Sequence, residues 1–420
     1  MVRGVMLDVG RRYWELEYLH GFVERIARLG YNRLQLHLTE WNGFRVVLPG
    51  YEELASEQAY TVPELVRLIE AAEALGVEVV PELNLPAHTT WIIEKRPELR
   101  FPAGSVLNDG SRWTGSPTPS WLLDFTSLEN REWVKGLLRT FCEVMPTRRI
   151  HFGADECPPE TPVEELNAFV DELAAVVRES GKQPEIWGDE RLRPAAALDV
   201  AITCWETDQE AAVAFAELGY RVVCSPSELM YVTPRTAPGH RPDVNYVVSD
   251  PRAIRERWQP AHHERLDGYQ LCVWADWAED QRDEYFDWYL SAPLEALAAT
   301  WGYQPEPFQP AASSVGDAVV DLGRPARVRA VRFLPELPDE PFAVDGKWPA
   351  AVWEALEDVR GTRFQGAADP AGPWHDVVAA RWQPTNTWNT LSVADGGRYR
   401  WLRAASAPAG LSVQWKIEDD

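Results

Sequence analysis

Between residues 3 and about 300 the chain alternates short apolar, β-branched runs with amphipathic stretches. This alternation constrains the fold more than any other feature of the sequence. The runs are GVMLDV (4–9), RLQLHL (33–38), VEVVPEL (77–83), RIHFGADE (149–156), EIWGDE (185–190), VAITCWE (200–206), RVVCSP (221–226) and YQLCVWAD (269–276). Helical periodicity is clear over 18–30, 63–76, 128–144, 163–180 and 285–300, and Gly30, Gly76 and Gly181 follow three of these stretches where a helix C-terminus favours glycine. Apolar strands interleaved with helices imply a parallel sheet covered on both faces. Eight of them in this length point to an α/β fold, a (β/α)8 TIM barrel over residues 1–302. The alternative is an open doubly wound sheet, but no glycine-rich phosphate loop follows the first run.

The pattern changes after a Pro-rich stretch, GYQPEPFQPAA (302–312), of which 303–312 is assigned as the linker. Residues 313–420 carry short alternating segments separated by turn residues, among them AVVDLG, ARVRAVRFLP, AVWEALEDV, TWNTLSVADG and LSVQWKIED. A smaller all-β sandwich with no helix is expected there. The 420 residues are enough for both units.

Charge excludes several classes of partner. With 65 acidic against 41 basic residues the formal net charge is −24, so neither nucleic acid nor an anionic membrane is an expected partner. No apolar run approaches the roughly 18 residues a membrane helix needs. MVRGVMLDVGRRYW lacks the apolar core and cleavage site of a signal peptide, which leads to the expectation of a cytoplasmic protein. The five cysteines have no CxxC spacing and read as reduced, buried thiols, and no HExxH-like spacing suggests zinc; no metal or cofactor is expected.

Acids and tryptophans gather at the C-terminal ends of the runs: Asp155, Glu156, Asp189, Trp205, Glu206, Trp274 and Asp276. In barrel enzymes that end carries the active site. Asp155 and Glu156 are adjacent, after the apolar RIHF. Hydrolysis of a glycosidic bond needs a proton donor for the leaving oxygen and a group that traps or stabilises the oxocarbenium-like centre. Two adjacent acids cannot easily flank a sugar from opposite sides. They suit a substrate that brings its own nucleophile, such as a 2-acetamido oxygen, with one acid donating the proton and the other orienting the acetamido group. Trp187, Trp205 and Trp274 lie late in three different runs, where indole faces can stack on sugar rings or can simply fill the core. In PELNLPAH (81–88), His88 follows a Pro turn and is expected to pair with Glu40 of HLTE behind the pocket.

Taken together these segments resemble glycoside hydrolase family 20, the β-N-acetylhexosaminidases. RGVMLDVGRR (3–12), LHLTEWNGFR (36–45), PELNLPAH (81–88), HFGADE (151–156), IWGDE (186–190), ITCWE (202–206), VVCSPSELMYV (222–232) and YQLCVWADW (269–277) occur in the family's order. The resemblance implies that Glu156 is the general acid/base and that Asp155 orients the acetamido group as it closes to an oxazolinium-like intermediate. It implies that Tyr231 hydrogen-bonds the acetamido oxygen and that Trp187, Trp205 and Trp274 wall the pocket. Arg3 would bind the 3- and 4-hydroxyls, Asp189 would support the acetamido side, and Asp276 would read the far hydroxyls. His88, Glu40 and Asn84 would stand behind them. The implied partner is an oligosaccharide ending in N-acetylhexosamine.

The chain departs from the family pattern at Asn84, where the family usually has Asp, and at Asp276, where a longer Glu is common. Glu40 replaces the usual Asp, and Thr233 stands where an Asp often follows the tyrosine. These changes fall on the hydroxyl-reading side and keep two other readings open: a glycan-binding protein without catalysis, and a hydrolase that pairs Glu156 with the distant Glu206 or Asp276. The C-terminal segments VVDLGRPARVRAVRFLP (319–335) and RYRWLRA (398–404) resemble discoidin-like carbohydrate-binding sandwiches; a structural cap on the barrel is the other reading.

Overall fold

The computed structural model describes residues 1–108, 120–189, 199–206, 208–233, 249–276, 278–344, 347–394 and 397–418. Glu190 and Trp277, at the ends of two family-like segments, lie outside the described residues. The chain divides into two compact units, Met1–His240 with Gln259–Asp283, and Arg241–Trp258 with Glu284–Asp420.

The first unit is a closed parallel barrel. Strands β1 (Val2–Asp8), β2 (Arg33–His37), β3 (Glu78–Leu85), β4 (Arg149–Gly153), β5 (Gln183–Trp187), β6 (Ala201–Cys204), β7 (Val222–Cys224) and β8 (Leu266–Val273) pair in sequence order. β8 then pairs in parallel with β1, Val2 opposite Gly268 and Leu7 opposite Val273, so the sheet has no open edge. Closure decides for the barrel over the open doubly wound sheet.

Helices α1 (Leu16–Arg28), α2 (Val62–Ala74), α3 (Leu128–Val144), α4 (Val163–Glu179) and α5 (Glu210–Glu217) run between the strands. Their formation follows from local chemistry. At the start of α2 the Thr61 N–H donates to Glu64 Oε2 at 2.8 Å and Pro63 occupies the first turn, which closes off orphan donors. Leu65, Leu68, Ile69 and Ala72 then fall on one buried face. Burying each Leu or Ile of such a face contributes about 1.5–3 kcal/mol.

The strands do not bury apolar residues uniformly. In β2, Leu34 and Leu36 alternate with Arg33, Gln35 and His37, and all five are buried. One parity of the strand meets the helices and the other fills the barrel with polar groups. At the N-terminal end Arg33 pairs with Glu185, and Arg149 joins Glu185 at 2.8 Å and Glu78 at 3.2 Å. Nearer the middle, Gln270 Nε2 donates to Gln35 Oε1 at 2.9 Å, and Gln35 Nε2 donates to Glu82 Oε2 at 2.8 Å. At the C-terminal end lie Asp8, His37 and Asn84, all buried, and the site is built there.

In the second unit, strands β9 (Ala312–Val315), β10 (Val320–Leu334), β11 (Arg363–Ala367), β12 (His375–Ala379), β13 (Asn389–Ser392), β14 (Arg398–Ala405) and β15 (Ser412–Ile417) pair antiparallel in the order β9-β15-β10-β14-β11-β12, with β13 also on β10. Val331, Phe333, Phe364, Leu402, Val413 and Trp415 form its core. Two features differ from the sequence expectation. AVWEALEDV contains a helix, Ala350–Glu357, which follows Pro349 and buries Val352 and Leu356 at a spacing of four. The expected last barrel helix, Asp283–Ala299, groups mostly with this unit: Trp288 stacks on Phe333 at 6.3 Å and donates its indole N–H to Gln383 O at 2.8 Å. Among the described residues no helix is long and apolar enough to cross a membrane.

Candidate active site

The site begins where β4 stops. Gly153 has φ +78°, and a Cβ there would lie 1.7 Å from Asn84 Oδ1, so only glycine fits. Ala154 at φ +76° and Glu156 at φ +49° also take left-handed backbone, at a cost of roughly 1–3 kcal/mol each. This turn breaks the strand alternation and brings two adjacent carboxylates to one place. Asp155 Oδ2 lies 3.5 Å and Glu156 Oε2 3.4 Å from the same atom, His88 Nε2. Their surroundings differ: the Asp155 side chain is 9 % exposed and that of Glu156 is 42 %. Asp155 Oδ1 also accepts from Asn84 Nδ2 at 3.2 Å. The Glu156 carbonyl accepts the indole N–H of Trp121 at 3.0 Å, and that indole packs 4.2 Å from the His88 ring.

Behind the pair is a chain of buried charges. His88 Nδ1 lies 2.7 Å from Glu40 Oε1, and Arg11 reaches the same oxygen at 2.8 Å. Arg11 also pairs with Asp8 at 2.9 Å and with Asp276 at 3.3 Å, and its guanidinium lies 5.2 Å from the centre of the Trp274 ring. Burial disfavours the charged form of His88, but Glu40, Asp155 and Glu156 outweigh it and raise its pKa well above the ordinary histidine value. Burial also works against the Glu40 carboxylate, yet Arg11, His88 and His37 hold it well below its usual range. Asp276 goes the other way. Burial pushes it up to about 6, with Arg11 opposing and Asp8 and Glu40 adding to the rise.

The aromatic wall forms a second group. Trp187 and Trp274 lie 5.7 Å apart and cluster with Met6 and Cys272, with Trp205 and Tyr231 packed against them. The Tyr231 ring is 5.7 Å from Trp274. Burial, then Cys272, Asp155 and Glu156, raise the Tyr231 pKa well above 10, so its hydroxyl keeps the proton and can donate it in a hydrogen bond.

The structure therefore joins Asp155, Glu156, His88, Glu40 and Asn84 in one network, and Trp187, Trp205, Trp274 and Tyr231 in one wall. Arg11 ties Asp276 to both groups. Asp189 is buried two residues beyond β5. Arg3 is not brought to the site. It lies at the N-terminal end of β1, where its N–H donates to Asn32 Oδ1 at 2.8 Å, whereas the pocket is at the C-terminal end, five residues or about 17 Å further along. The arginine beside the pocket is Arg11, at the other end of the same RGVMLDVGRR motif. Sequence reasoning also missed Trp121, His37 and Glu82. The strand direction could have separated Arg11 from Arg3, because side chains beyond a barrel strand's C-terminal end face the site. Among the described residues, His88, Asp155 and Glu156 are the three potential metal ligands whose binding atoms lie within 4.8 Å of one another.

A closed (β/α)8 barrel with a carboxylate pair and a tryptophan wall at its strand ends defines a class, the barrels built to cleave glycosidic bonds. Residues 1–289 match the family model described as glycosyl hydrolase family 20, catalytic domain, and the chain belongs to that family. A β-hexosaminidase of Akkermansia muciniphila is 27 % identical over 219 residues, covering 44 % of this chain and 44 % of that protein. A β-N-acetylhexosaminidase of Cellulomonas fimi is 24 % identical over 413 residues, covering 94 % of this chain and 72 % of that protein. The chain thus spans less than half the length of the first relative and most of the second. Among solved structures, the Streptomyces plicatus N-acetyl-β-hexosaminidase in complex with Thio-NAglucal superposes with a TM-score of 0.60 at 23 % identity, over 70 % of this chain and 62 % of that one. This likeness concerns the fold.

Proposed function

We propose that the chain is an exo-acting β-N-acetylhexosaminidase that releases terminal N-acetylhexosamine with retention of configuration, using the substrate's acetamido oxygen as the nucleophile. The observation that carries this reading is the convergence of Asp155 and Glu156 on a single nitrogen, with their facing oxygens within 4.8 Å of each other. An inverting pair stands about 6.5–9.5 Å apart to hold a water between acid and base. A nucleophile–acid pair must flank the sugar, but these adjacent residues lie on one side. The attacking atom must then come from the substrate. The names of the relatives support the same sugar class.

The steps follow from the two environments. Glu156, the exposed acid, protonates the glycosidic oxygen as the C1–O bond breaks. The acetamido carbonyl oxygen bonds to C1 from the opposite face, giving an oxazolinium ion. Asp155, held by Asn84 and His88, faces the acetamido N–H and stabilises the positive charge that develops there. Tyr231 donates its O–H to the carbonyl oxygen. Glu156, now a carboxylate, takes a proton from water as the water attacks C1, and the oxazolinium ring reopens. Trp187, Trp205 and Trp274 wall the sugar and exclude water around the acetamido methyl.

Release of nitrophenol from aryl 2-acetamido-2-deoxy-β-glucoside and -galactoside, compared with the aryl β-glucoside, tests the proposal. Turnover confined to the acetamido sugars supports it. Equal turnover of the plain glucoside would favour two separated carboxylates, and no turnover of any would leave the barrel a binding protein.

A further inference from the structure

His37, the last residue of β2, is fully buried and touches both halves of the site from behind. Its Nε2 lies 3.1 Å from Glu40 Oε1, the oxygen that also holds His88 Nδ1 at 2.7 Å. Its Nδ1 lies 2.8 Å from Glu82 Oε2, and Glu82 Oε1 accepts the indole N–H of Trp187 at 2.7 Å. One imidazole thus separates the carboxylate that orients the acid pair's histidine from the carboxylate that orients a wall of the pocket. Trp274 and the same ring pack in a T-shaped arrangement at 5.2 Å between centroids.

A neutral imidazole has one donor and one acceptor nitrogen. Nε2 meets Glu40 in a hydrogen bond and Nδ1 meets Glu82 as a close ion-pair contact. A bare nitrogen lone pair facing a carboxylate oxygen at either distance would be repulsive, which favours hydrogen on both nitrogens. A protonated carboxyl at either end is a poor substitute. Glu40 already lies 2.7 Å from His88 Nδ1 and 2.8 Å from the Arg11 guanidinium, and Glu82 accepts from Gln35 and Trp187. Burial disfavours a charged His37, but Glu82 and Glu40 outweigh it and raise its pKa to about 10.

We infer that His37 is a positioning residue: a permanently charged imidazolium that sets Glu156 and Asp155 through Glu40 and His88, and sets the Trp187 wall through Glu82. The inference rests on the proposed acetamido chemistry for its kinetic consequences, though not for the charge state. It differs from simple core filling because the two arms can be cut separately. Gln places its amide nitrogen near the histidine Nε2 position, and Asn places its nitrogen near Nδ1.

The test compares His37→Gln with His37→Asn on aryl acetamido-glycosides of graded leaving-group pKa, with thiazoline binding measured by calorimetry. His37→Gln, which keeps the donor to Glu40, is expected to hold kcat within about threefold while KM and the thiazoline Kd rise about tenfold or more. His37→Asn, which keeps the donor to Glu82, is expected to lower kcat at least tenfold, most for poor leaving groups, with thiazoline affinity little changed. Equal changes in both variants, or losses of active enzyme alone at unchanged KM and leaving-group dependence, overturn the inference. If neither variant folds, 15N-histidine spectra of the wild type decide, with His37 assigned through its contact with Trp274. Two protonated ring nitrogens at pH 7 support the inference and one bare nitrogen overturns it. A wild type that turns over no acetamido-glycoside defeats the proposed function, while the nitrogen spectrum still reads the imidazolium.

Discussion

His88 and Glu40 meet at 2.7 Å through Nδ1, which leaves Nε2 to face Asp155 and Glu156 together. A carboxylate behind the imidazole fixes which nitrogen points forward and keeps the ring charged. The two acids therefore share a cationic partner and are spared direct repulsion. Their unequal exposure fits the proposed division into a proton carrier and a fixed charge.

Replacing Glu156 with Gln removes the proposed proton donor and leaves Asp155 in place. Steady-state kinetics with alkyl or sugar leaving groups should show kcat lowered about 10²–10⁴-fold, the usual range for general acid–base catalysis. With a good leaving group such as dinitrophenolate, which departs without protonation, the first step should be far less affected.

Gly153→Ala is expected to be disruptive out of proportion to its size. The added methyl would meet Asn84 Oδ1 at 1.7 Å, and the φ of +78° is itself strained for alanine. Urea unfolding should show a loss of stability of about 2 kcal/mol or more, together with lost turnover. Adding Asn84→Ala should relieve the clash without restoring the backbone geometry, so rescue should be partial.

Arg11 is the shared counter-ion of Asp8, Glu40 and Asp276. Arg11→Ala leaves those acids buried without it, and breaking such a cluster by removing one partner costs about 3–5 kcal/mol. A chemical denaturation midpoint well below that of the wild type is the expected result. Arg3→Ala, at the other end of the strand, should leave KM for the aryl substrates unchanged.

Asp276 titrates near pH 6 in the fold. An acid whose folded pKa is raised above its unfolded value of about 3.9 disfavours folding once ionised. Its penalty is absent below about pH 4, grows as pH rises to about 6 and is constant above that. Stability measured against pH should therefore rise from this group as pH falls from about 6 toward 4, and Asp276→Asn should lack the step. A matching inflection near 6 in the pH dependence of KM is expected if the carboxylate binds the sugar, and it too should vanish in the variant.

Much of this was legible from local pattern. The eight strands, the helices between them and the paired acids follow from periodicity and from residue type at strand ends, because those signals lie within a few residues of each other. The segment 350–357 was misread because alternating and helical spacings overlap in so short a run. Helix Asp283–Ala299 was assigned correctly as a helix, but its grouping depends on Trp288 meeting Phe333, a contact between residues far apart in the chain.

By itself the sequence determined that the chain makes a parallel barrel and that Asp155, Glu156 and the tryptophans end its strands, since backbone periodicity and the cost of burying unpaired charge act locally. Only the tertiary structure decided which arginine of RGVMLDVGRR stands at the pocket, that both acids face one imidazole nitrogen, and that His37 joins Glu40 to Glu82. Those relationships depend on which strand ends meet when the barrel closes, and on buried ion pairs formed between residues up to 265 positions apart.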